Sequence, residues 1–269
     1  MLRRLITPAL VAGVLAAVVT VAGPATAATA IKTPGPPIGS AGQTGHAVTG
    51  ANFRYAAGTI FLRNGGLFAA TNLGVGGSVS LKSTTGKTVL LGISTDTSGP
   101  HHPWSPGINV YQGHTLIASQ NDASVNGETC TAGVCTPGDS GLWPDRQHAR
   151  LSLYYDRAHG QIVFEALTDA GDSYHGHYFI GTGLLFRQAR VTGDFGNTPF
   201  DSVGYTAPPA AVTKYLSWSA ATFTNYAGVH GNFRGPWTRN IVRLVDAQGH
   251  AYAGTLNKAG DHFATSLAP

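Results

Sequence analysis

The chain has 269 residues, only 11% of them charged, and a formal net charge of +4. Two of those positive charges are Arg3 and Arg4, so removing a leader that contains them leaves +2, with no Lys/Arg cluster anywhere, which excludes the basic patch that nucleic-acid binding requires. A charged fraction well under the usual ~25%, with 36 glycines, also excludes a fold of charged surface helices and predicts Thr- and Ser-faced strands joined by glycine turns.

Residues 1–30 have the three-part layout of an export signal. Arg3 and Arg4 are followed by an apolar run from Ala9 to Val21 and then by small residues. The run is too short for a membrane span, and no later stretch approaches the ~20 apolar residues a span needs. Ala25-Thr26-Ala27 and Ala28-Thr29-Ala30 both offer a small-x-small cleavage pattern, so the mature chain is expected to begin near Ala28 or Ile31. The expected destination is extracellular, with no membrane attachment after cleavage. Residues 31–43, with Pro34, Pro36 and Pro37, read as an extended linker.

From Thr44 to the C-terminus the sequence predicts one domain, residues 44–269. Short segments rich in Val, Ile, Leu, Tyr, Phe and Thr recur between glycine-bearing turns, with no sustained helical period, and about a dozen strands are expected. The predicted class is all-β, an antiparallel β-sandwich. Cys130 and Cys135 are the only cysteines; an oxidising destination pairs them as a disulfide, worth at most ~2 kcal/mol for so small a loop. They do not begin a zinc site, because no second Cys or His pair of suitable spacing follows closely. The next segment, Gly138-Asp139-Ser140-Gly141, resembles the nucleophile segment of trypsin-like serine proteases. Leu142 and Trp143 stand where that family has its second glycine, and no His base with the expected surroundings precedes it, so it reads as a polar turn.

Ala149 to Tyr155 and Gln161 to Thr168 predict a hairpin around Asp156-Arg157-Ala158-His159-Gly160, with Leu151, Leu153 and Tyr155 on one face and Ser152 and Tyr154 on the other. Tyr174 to Ile180 and Leu184 to Val191 are expected to extend this meander. Pro199 to Ala211 then reads as a crossing between sheets, followed by strands at Tyr215 to Tyr226, Asn240 to Asp246 and Ala251 to Leu256. His175 and His177 share a strand face at a spacing that suits two metal ligands, but eleven histidines make such adjacency ordinary, and no metal or cofactor is expected. The two glutamates, Glu128 and Glu165, give no paired-carboxylate motif for glycoside cleavage. Trp104, Trp143, Trp218 and Trp237 lie mostly near loops, where a ring either stacks on a ligand or plugs the core; Trp104, Trp143 and Trp237 are the candidate ligand contacts.

The order of segments resembles the glutamic peptidases, or eqolisins, secreted acid proteases with a concanavalin A-like β-sandwich (jelly-roll) fold. Phe53-Arg-Tyr-Ala-Ala-Gly58-Thr59 is similar to that family's opening strand, Ala149 to Thr168 to its long hairpin and Tyr215 to Tyr226 to its closing strand. The chain is also similar to secreted proteins of actinobacteria, a likeness that carries no activity with it. The eqolisin resemblance implies a Glu as general acid/base and a Gln holding the oxyanion, both on one concave face. In the matching segments Leu91 stands at the Gln and Arg190 at the Glu, and neither performs those roles. The leading expectation is therefore an extracellular, monomeric, non-catalytic binding protein whose concave face takes a polysaccharide or peptide, with Arg190 a further candidate contact. The rival is an acid endopeptidase with a non-standard site drawn from Glu165, Gln188, Asp194 or Gln112.

Overall fold

The computed structural model of the protein describes residues 43–62, 75–95, 104–113, 115–121, 128–131, 134–137, 143–195, 216–242, 244–245, 251–252 and 255–265. The leader, nearly all of the linker, the Gly138–Gly141 turn and the Pro199–Ala211 crossing lie outside the described residues. Gln43, expected to end the linker, is already the first residue of a strand.

Every element among the described residues is a strand, bridge or turn, and all the strand pairs are antiparallel. In chain order the strands are β1 (Gln43–Leu62), β2 (Val75–Ser83), β3 (Lys87–Thr95), β4 (Trp104–Gln112), β5 (Thr115–Asn121) and β6 (Glu128–Thr131). There follow β7 (Val134–Pro137), β8 (Gln147–Asp156), β9 (Gln161–Thr168), β10 (Ser173–Phe179), β11 (Phe186–Phe195) and β12 (Leu216–Asn225). The last are β13 (His230–Gly231), β14 (Thr238–Val242), β15 (Leu244–Val245), β16 (Ala251–Tyr252), β17 (Thr255–Leu256) and β18 (Phe263–Thr265).

Strand β1 is 20 residues long and changes partners midway. Gly45 to Thr49 lie between β11 and β14, whereas Tyr55 to Ile60 lie between β8 and β12. The pairing shifts register between Thr49 and Phe53, where Gly50 has φ 89°, a value that favours a residue without Cβ. The sheet path β10-β9-β8-β1-β11-β2-β3-β4-β5 thus folds into two layers. One contains β11, β2, β3, β4 and β5, the other β8, β9, β10 and β12.

The layers meet on their apolar faces. Val79 and Leu81 of β2, Val89, Leu91 and Ile93 of β3, and Val191 of β11 are buried with Ile60, Leu151, Leu153, Phe164 and Trp218 in one cluster. Trp218 and Ile60 lie so close to Gly77 that a Cβ there would sit 2.6 Å from Trp218 Cζ2 and 2.5 Å from Ile60 Cδ1.

The predicted hairpin is present as β8 and β9, with Asp156 opposite Gln161 and the predicted alternation of buried and exposed positions. The expected meander stops at β10. Strand β11 leaves it to pair with β1 and β2 in the other layer, because β1 offers a free edge there once its own partners change. In the β6–β7 pair the backbone register sets Cys130 directly opposite Cys135.

Replacing Gly77 with Ala puts a methyl group against a rigid indole in a packed core. Urea unfolding followed by tryptophan fluorescence is expected to show a loss of about 1–3 kcal/mol; unchanged stability would contradict this packing.

Candidate functional site

Strands β11, β2, β3 and β4 turn their apolar side chains inward, so the alternate residues form a second, polar face. Register carries one row across it: Ala47, Arg190, Ser80, Leu90, Asn109 and Ser119. The next row holds Thr49, Gln188, Lys82 and Thr88. Ser80, Thr88, Asn109, Arg190 and Thr192 are buried although their side chains are polar or charged. Ser119 Oγ donates to Asn109 Oδ1 at 2.7 Å, and Ser78 and Thr192 share a hydroxyl hydrogen bond of 3.1 Å.

Arg190 is the anomaly of this face. It is 1% exposed, and its Nε donates to Gln188 Oε1 at 3.0 Å while its Nη2 donates to the same oxygen. Among the described residues Nη1 has no partner. No described carboxylate lies on the face. Burial pulls the guanidinium down to about 10, so at neutral pH it still holds its charge, with no counter-ion among the described residues. Lys82 is half-buried beside it and is lowered by burial and then by the Arg190 charge. Taking an ion out of water costs several kcal/mol unless it is paired, so this face carries stored electrostatic cost.

The Gln188 row opens onto a cleft of about 530 Å³ at the β1 break, lined by Thr49, Gly50, Ala51, Asn52, Lys82, Ser83, Arg187 and Gln188. Arginine can only donate hydrogen bonds, so the Gln188 atom facing Arg190 must be its carbonyl oxygen. That turns the Gln188 NH₂ away from Arg190, with no acceptor among the described residues. Asn52 Oδ1 is buried and likewise unpartnered.

The other residues expected to form a site are scattered. Glu165 is exposed on the outer face of the other layer, opposite Ser152 and His175. It does not meet Gln188. Gln112 is exposed at the end of β4, where its Nε2 donates to Thr85 O at 2.8 Å. Asp194 pairs through its backbone with Gln43 and Gly76 on β11, but its side chain lies outside the described residues. Leu91 points into the core, so the β3 residue that faces Arg190's row is Leu90; side-chain parity, invisible to a matched segment, moves the comparison by one position.

Two of the tryptophans expected to touch ligand do not present a ring. Trp104 and Trp143 are buried in the core and hold each other through paired backbone hydrogen bonds of 2.9 and 2.7 Å. Proximity to a loop suggested a rim, but the loop residues pair with each other and draw both rings inward. Trp237 is half-buried, packed edge-on against Phe53 and Phe223 with its Nε1 donating to Asn232 O at 2.7 Å. His175 and His177 are exposed on β10, and the nearby carboxylate of Asp172, which could have served as a third ligand, is instead held by Gln147 and Thr168.

No protein-family model and no curated protein matches this sequence. Among solved structures, scytalido-glutamic peptidase with a transition-state analogue inhibitor is similar over 88% of this chain and 100% of its own, with TM-score 0.57 and 11% identity. The same peptidase with a peptide-based transition-state analogue gives TM-score 0.55 at 8% identity over the same shares. SCP-B, a member of the eqolisin family of peptidases in complex with the tripeptide Ala-Ile-His, gives 0.50 at 8% identity, again over 88% and 100%. The fold is therefore the glutamic-peptidase β-sandwich.

Because the folded protein releases the Arg190 proton more readily than the unfolded chain, that charge opposes folding at pH values below about 10, and the opposition fades above it. Arg190→Met is accordingly expected to raise the unfolding free energy at neutral pH by about 1–4 kcal/mol. A loss of stability in chemical denaturation would show that the charge is compensated after all.

Proposed function

We propose that this protein is an exported peptide-binding protein that has the glutamic-peptidase sandwich without its hydrolytic chemistry. One observation carries the reading: Gln188, the amide on the polar face, is engaged by a guanidinium where an acid–amide mechanism needs a carboxyl group. A general acid/base must exchange a proton near the working pH, and a guanidinium does not. What the face offers instead is a set of hydrogen-bond donors on rigid strands, which suits capture of an extended chain. Peptides are favoured over polysaccharides because Trp104 and Trp143, the rings that sugar stacking called for, are core residues. Solved proteins of this fold are also described with a peptide-based transition-state analogue and with a tripeptide.

The test uses protein recovered from culture medium, with intact mass reading leader removal and the loss of two hydrogens at Cys130 and Cys135. A fluorescein-labelled random heptapeptide mixture is expected to bind by polarisation, and casein is expected to stay intact from about pH 2 to about pH 5. Casein cleavage that is lost in Glu165→Gln or Asp194→Asn would return the protein to the acid peptidases.

A further inference from the structure

We infer that the cleft at the β1 break binds the free C-terminal carboxylate of a peptide, held by Lys82, Arg187 and the Gln188 amide, with Asn52 accepting the adjoining peptide N–H. The inference rests on the peptide-binding reading above and adds to it which end of the peptide is recognised and where.

Three features converge on this chemistry. The lining holds two cations and no carboxylate. Among the described residues no hydrogen-bond partner engages the Lys82 ammonium, the Arg187 guanidinium or the Gln188 NH₂, so the donors are free for a ligand oxygen. Behind them Arg190, nine-tenths and more buried, fixes Gln188 in the orientation that points its donors into the cleft and adds a third positive charge, whose Nη1 has no partner among the described residues. Arg190 is thus a positioning residue.

The buried Asn52 Oδ1 narrows the choice among anions. It lines the same cleft and needs a donor, since a buried acceptor left unsatisfied costs about 1–3 kcal/mol. A peptide terminus supplies both partners at once, a carboxylate with an amide N–H two bonds from it. A phosphomonoester dianion has no donor, inorganic phosphate has no amide N–H, and a side-chain carboxylate lies further from its own backbone N–H. The break in β1 also frees the strand backbone at Gly50 and Ala51 from regular pairing with β11, leaving room for a chain end beside the sheet.

The experiment measures binding of labelled hexapeptides carrying a free C-terminus, of the same peptides as C-terminal amides, and of amides with an internal Asp. The free acids are expected to bind about tenfold or more tightly than either amide set. Lys82→Met is expected to abolish that preference, whereas Lys258→Met, which removes the same charge from an exposed turn, preserves it. Arg190→Met is expected to reduce the preference while leaving amide binding intact, which a merely structural role would not do. Equal binding of acids and amides, or Asp-bearing amides matching the free acids, overturns this inference and leaves the peptide-binding reading standing. An equal loss of preference in Lys258→Met also overturns it, and absence of binding by all three sets overturns both.

Discussion

A single strand that serves two layers constrains everything else in this molecule. Strand β1 is an inner strand twice, first between β11 and β14 and then between β8 and β12. No strand can hold four partners along one length, so the exchange needs a break, and it falls between Thr49 and Phe53 around Gly50. Everything downstream follows from that exchange. It sends β11 away from the hairpin meander, lets Gly77 approach Trp218 across the layers, and opens a cleft beside Gln188 and Lys82.

The polar face is organised by charge in the same economical way. A carboxylate beside Gln188 would make an acid–amide pair able to work on water; a guanidinium there makes a fixed donor array. The cost is a buried cation with no counter-ion among the described residues. Retaining an unfavourable group is what binding sites do when a ligand supplies the missing partner.

Local patterns were legible in the sequence where structure depends on local patterns. The alternation of Leu151, Leu153 and Tyr155 with Ser152 and Tyr154 announced both the hairpin and its buried face. Strand partners were less legible: nothing in Phe186–Phe195 says that it joins β1 and β2 rather than β10, because pairing is a choice among distant edges. For the same reason Glu165 looked available to Gln188 in a linear reading and proves to lie on the opposite layer. Arg190 stood out as the wrong residue for an acid, and its contact with Gln188 follows from the two-residue spacing of one strand face. Leu91 misled by one position, since a matched segment does not say which of two leucines faces the solvent side. The tryptophans misled for a different reason, as proximity to loops says nothing about whether Trp104 and Trp143 turn inward.

The most direct test of this account is a crystal structure of the protein grown with a free-acid peptide. The account predicts an uncleaved peptide along the polar face, its terminal carboxylate within hydrogen-bond distance of Lys82 Nζ and Gln188 Nε2 and its last N–H on Asn52 Oδ1. A cleaved peptide beside a carboxylate side chain, or a peptide bound elsewhere with this cleft empty, would contradict it.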